Sequence, residues 1–131
     1  MIRRTIRYGL LYWLSGAAIT LGLARMAVPR GTMIAVFYIL AVIIPIVFFS
    51  LFFRRSEALP TRSTALRVGA IWIAVITAFD LLFYVWFFGI STGTYFSWFL
   101  FQDYVFILVG GVFTAALFAR RKSIENPEGL A

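Results

Sequence analysis

The sequence contains no cysteine and no histidine. Disulfides, thiolate nucleophiles and the usual zinc, haem and iron–sulfur ligand sets are therefore excluded. Charge is also scarce: 13% of residues are charged, against about 25% in an ordinary globular domain. Only five residues are acidic, against twelve lysines and arginines. Without a Ser–His or Cys–His pair there is no activated nucleophile of the common kinds, and the chain is expected not to be an enzyme. No cofactor is expected.

Apolar residues fill the space left by these absences. The 131-residue chain is 63% hydrophobic and 19% aromatic. Apolar runs cover residues 8–28, 32–53, 68–90 and 95–119. Each approaches the roughly 20 residues that a helix needs to cross a bilayer. None alternates in the way that a barrel strand would. The expected fold is a single all-α membrane domain, residues 1–131, with four transmembrane helices arranged as two hairpins. Residues 120–131 are expected to form a short, disordered cytoplasmic tail.

The basic residues indicate an orientation. Arg3, Arg4 and Arg7 precede the first run; Arg54, Arg55, Arg62 and Arg67 flank the second connection; Arg120, Arg121 and Lys122 follow the last run. If all four helices cross, these groups share one side, and the positive-inside rule makes that side and both termini cytoplasmic. The net charge of +7 is thus assigned to topology and anionic lipid rather than to nucleic acid. A bacterial or archaeal cytoplasmic membrane is the expected location. The apolar stretch behind "MIRRTIR" is longer than a signal-peptide core and lacks a small-residue cleavage site, so cleavage is not expected.

Features inside the runs point to packing. Gly16, Thr20 and Ala24 recur every four residues in the first, and Gly111, Ala115 and Ala119 in the last. Such rows let helices approach closely in lipid, within one chain or between two copies. Pro45 interrupts the hydrogen bonding of the second helix and frees the carbonyl of Ala41. Ser63 suits an N-cap for the third helix. Tyr8, Tyr12 and Trp13 suit an inner interfacial belt, and Tyr95, Phe96 and Trp98 an outer one.

Two of the five acids lie inside the apolar runs. Asp80 stands in "TAFDLLFY" and Asp103 in "LFQDYV". A carboxyl group in hydrocarbon is costly unless it is protonated, paired or hydrated, and such a residue is read as functional by default. Counted at about 1.5 Å per residue from the turn between the last two helices, both acids fall at similar levels. Asp103 is expected to pair with Arg25, with Tyr38 and Gln102 as further polar partners. Asp80 is expected to be protonated and to donate to the Ala41 carbonyl. A second reading makes residues 95–104 an interfacial segment and leaves Asp103 shallow.

Asp80 and Asp103 are thus the candidate proton or cation site. The function expected is a small proton-linked transporter or channel in the lipid bilayer, working as a homodimer. The alternative is a non-catalytic subunit or assembly factor of a larger membrane complex.

Overall fold

The computed structural model describes residues 1–56, 60–95 and 98–125, and among these every element is helical. Four helices are long: α1 (Ile2–Arg25), α2 (Arg30–Arg54), α3 (Arg62–Asp80) and α5 (Trp98–Glu125). A short α4 (Thr92–Tyr95) lies in the last connection. The segments Arg30–Arg54, Arg62–Phe87 and Phe101–Glu125 are long and apolar enough to cross a membrane. The chain is therefore a helical integral membrane protein with three such segments, and α1 is a fourth long helix beside them.

The helices overrun the apolar runs at the basic end, because arginine is a good helix former. α1 begins at Ile2 rather than at residue 8, and α3 at Arg62 rather than at residue 68. Thr61, not Ser63, caps α3: its side chain accepts a hydrogen bond from the Thr64 amide at 3.1 Å. The last helix continues to Glu125, so residues 120–125 are helical rather than a disordered tail. An exposed i,i+4 pair, Arg121–Glu125 at 2.8 Å, lies on this final turn. The rest of the expected tail, and Phe96 with the side chains of Tyr95 and Trp98, lie outside the described residues.

The third segment changes pitch. α-Helical bonding ends at Asp80, and Leu81–Phe87 form a π-helix. The Phe88 amide reaches back five residues to the Phe83 carbonyl at 3.0 Å. Gly89, at φ +67°, ends the segment in a conformation that suits glycine.

Packing crosses the two hairpins. α1 lies chiefly against α3, and α2 chiefly against α5, while α3 also packs on α5. The direct contact between α1 and α2 is much sparser than any of these three. Two hydrogen bonds fix α1 and α3 as parallel neighbours. Trp72 Nε1 donates to the Thr5 carbonyl at 2.9 Å, and Trp13 Nε1 donates to Asp80 Oδ1 at 2.6 Å. Both join residues 67 apart in sequence, so the two helices run together in one register.

Trp72 is fully buried, at the centre of a cluster with Tyr12, Phe49, Phe52 and Ile76. Glycines admit these rings. A Cβ at Gly9 would fall 3.1 Å from Trp72, one at Gly69 2.9 Å from Leu108, and one at Gly110 3.0 Å from Pro45. At Gly111 it would fall 2.6 Å from the Phe49 ring. Thus Pro45 and Phe49, one turn apart on α2, seat on the Gly110–Gly111 step of α5. Ala115, in the same row as Gly111, is also buried. The α1 row behaves differently: nothing lies within 4 Å of a Cβ at Gly16, and Ala24 is exposed. That row is therefore not a packing face within the chain.

At the basic end Arg4 closes the bundle. Its guanidinium donates to the carbonyls of Phe52 and Arg55 and lies 4.5 Å over the Phe52 ring. These carbonyls belong to the end of α2, where acceptors lack helical donors and a cation is favoured. Tyr8 and Tyr12 turn inward at this level rather than forming an interfacial belt, with Tyr8 edge-on to Phe52 at 5.5 Å.

Gly111→Ala tests the α2–α5 seam. Phe49 is 0% exposed and cannot retreat from an added methyl, so the variant is expected to lose about 1–3 kcal/mol. Gly16→Ala, with open space around it, is expected to lose nothing. Unfolding in mixed micelles compares the two.

Candidate functional site

The sparse α1–α2 contact leaves a partly open cavity of about 320 Å³ between the four long helices. Its polar lining is drawn from every wall. Tyr12, Trp13 and Thr20 come from α1, and Tyr38 from α2. Asp80 and Tyr84 come from the third segment, and Gln102 and Asp103 from α5. The apolar lining includes Phe37, Ala41 and Ile44 of α2 and Phe106 of α5. Among the described residues, no lysine or arginine lines it.

The two acids expected to share a level do share this cavity, and each lies within electrostatic reach of the other. They are held differently. Asp80 is 8% exposed and accepts the short bond from Trp13. An indole N–H only donates, so it matches a carboxyl oxygen in either charge state. The Trp13 ring is held between Phe79 and Phe83, each at 5.2 Å. Trp13 is thus part of the site, not of an interfacial belt. Its role was not visible beforehand, because depth alone does not say which way a tryptophan turns. The remaining clue was chemical: a buried acid calls for a donor.

Asp103 is half-buried and faces the same space. Among the described residues no donor makes a hydrogen bond or ion pair to it. The expected partner Arg25 is elsewhere: it is the last residue of α1, exposed, and absent from the cavity wall. The reason is the packing order. α1 lies on α3 and α5 on α2, so the end of α1 is not carried to Asp103. Tyr38 and Gln102, the other expected partners, do meet, with the Tyr38 hydroxyl donating to Gln102 Oε1 at 2.8 Å. This bond ties α2 to α5 beside the acid. Behind it, the hydroxyls of Thr77 and Tyr104 lie 2.6 Å apart and tie α3 to α5.

Ala41 also lines the cavity, as part of its α2 wall. Pro45 below it is seated against α5, and α2 runs through it as one helix. Gly16 and Thr20 face the cavity rather than a neighbouring helix, and the Thr20 hydroxyl is occupied by the Gly16 carbonyl at 2.8 Å.

The change from α to π bonding begins at the residue after Asp80. π-Helical turns occur frequently at functional sites. Here the wider turn carries Tyr84 onto the cavity wall one turn beyond Asp80, so that both acid and phenol line it.

No protein-family model, curated protein or solved structure matches the chain. The chemistry of this cavity is therefore the basis for a functional reading.

Trp13→Phe keeps a ring against Phe79 and Phe83 but removes the donor to Asp80. A loss of about 1–3 kcal/mol is expected, together with a displaced Asp80 carboxyl band in the infrared spectrum. A spectrum identical to wild type would show that the bond is not made in lipid.

Proposed function

We propose that this is a small integral membrane protein whose Asp80–Asp103 cavity takes up and releases a proton or a cation. It would serve as a proton-linked transporter or channel. The observation that carries this reading is the convergence of both intramembrane acids on one partly open cavity. A carboxyl group there is costly to charge without a counter-ion or water. Each uptake and release is then a change of charge between four helices, one of which departs from α geometry beside the acid.

We further propose that α1 completes a four-span bundle. Its outward residues from Leu11 to Leu21, including Leu14 and Ala18, are apolar, as a lipid-facing surface requires. Both termini then lie with the arginine clusters on the cytoplasmic side of a bacterial or archaeal membrane. The chain has no cysteine, so single cysteines report topology without background. Gly31→Cys is expected to react with an impermeant maleimide only from outside the cell, and Ile2→Cys, at the other end of α1, only after permeabilisation. Equal reaction of both from one side would overturn the four-span arrangement.

A second reading is favoured by surface left unused within the chain. Ala24 is exposed on α1 outside the cavity, and Trp86, Phe87 and Phe88 are 79%, 71% and 60% exposed. A partner helix could use these positions, making the chain a subunit or assembly factor. Flux separates the readings. In vesicles holding a pH gradient, wild type is expected to dissipate it faster than empty vesicles, and Asp80→Asn to reduce that excess at least tenfold. Equal rates for wild type and empty vesicles would favour the subunit reading.

A further inference from the structure

We propose that the cavity's occupant is an organic monocation of the alkyl- or arylammonium class, a substrate assignment that builds on the cation-site reading above.

Size is the first ground. A volume of about 320 Å³ falls at the small end of ligand cavities, which span about 300–1,000 Å³. A water's share of liquid volume is about 30 Å³, so a bare inorganic ion would leave most of the space unfilled. Charge is the second. Among the described residues, two carboxyl groups and no basic side chain line the cavity, which selects against anions.

The walls supply the third ground. Around the acids stand the aromatic rings of Tyr12, Trp13, Phe37, Tyr84 and Phe106. Aromatic faces attract cations, and desolvated ones most strongly. A small metal ion must shed tightly held water to enter a place where aromatic and aliphatic side chains make up much of the wall. An ammonium ion with carbon substituents is weakly hydrated and presents its apolar parts to those rings. Asp103, to which no described residue donates, is left available as a counter-charge for a cation that enters the cavity.

Access is the fourth. The cavity is partly open, it is lined by both α1 and α2, whose mutual contact is sparse, and nothing lies within 4 Å of a Cβ at Gly16 on its wall. An amphiphilic cation partitioned at the membrane surface can enter through such an opening without passing through the packed Trp72 core.

The test is calorimetric titration of the protein in lipid nanodiscs, with empty nanodiscs as reference. The probes are benzyltrimethylammonium, its uncharged carbon isostere neopentylbenzene, and sodium. Benzyltrimethylammonium is expected to bind the wild type and to bind Asp103→Asn at least tenfold more weakly. Gly16→Leu is a second variant. It projects a side chain into open space rather than into a neighbour, and it is expected to abolish binding while the protein stays folded. Equal binding of neopentylbenzene would overturn the assignment by making the cavity merely apolar. Sodium binding without benzyltrimethylammonium binding would overturn it in favour of an inorganic ion. No binding of any probe, with Asp80 still titrating reversibly, would overturn it and leave the proton site intact. Benzyltrimethylammonium binding with Asp80 not titrating would uphold the assignment and remove the proton linkage instead.

Discussion

The bundle depends on a reciprocal pair of tryptophan hydrogen bonds between α1 and α3. Trp72 of α3 gives its indole proton to the backbone of α1, and Trp13 of α1 gives its own to the carboxyl of Asp80. The two bonds are eight residues apart on each helix, or about 12 Å along the axis. They fix the register of α1 on α3 and its rotation about its own axis. In lipid these groups have no solvent to turn to, so the alternative to each bond is a polar group facing hydrocarbon. A slide of one helical turn would break both bonds at once.

From that pairing the remaining packing follows. Apolar surface alone does not drive helices together in a bilayer, where lipid tails are as apolar as leucine. Close fit must supply the attraction. Gly9 lets α1 meet Trp72, Gly69 lets α3 meet Leu108, and the Gly110–Gly111 step lets α5 meet Pro45 and Phe49. Arg4 then ties the start of α1 to the end of α2. Each helix is committed to a neighbour, yet α1 and α2 touch each other little. The cavity is the space this arrangement leaves, and the acids of α3 and α5 form its charged wall.

Much of this was legible in the sequence. The long apolar runs followed from hydropathy, and the meeting of Asp80 and Asp103 in one cavity agrees with the common level expected from helical rise. The Gly111–Ala115 row was legible as a packing face. Helix rotation was not. A helix that is apolar all round carries no amphipathic signal, so nothing in the sequence showed which way Trp13 or Arg25 points. The Arg25–Asp103 pair was plausible by depth and failed by packing order, because α1 and α5 each lie chiefly on other helices. The Gly16–Thr20–Ala24 row carried the same small-residue signal as the α5 row. Such a row shows that a close approach is allowed, not that a neighbour is present, and here a cavity occupies the place. The π-helical turn after Asp80 had no sequence signal, since Leu81–Phe87 reads equally well as α-helix.

The central claim is that Asp80 and Asp103 act as one site. Its most direct test is infrared titration of the Asp103 carboxyl in lipid, in wild type and in Asp80→Asn. If the two groups share a cavity, the charge on one is felt by the other. The Asp103 midpoint should then move when Asp80 can no longer ionise. An unchanged midpoint would mean two isolated acids, and would contradict the shared site on which the functional reading stands.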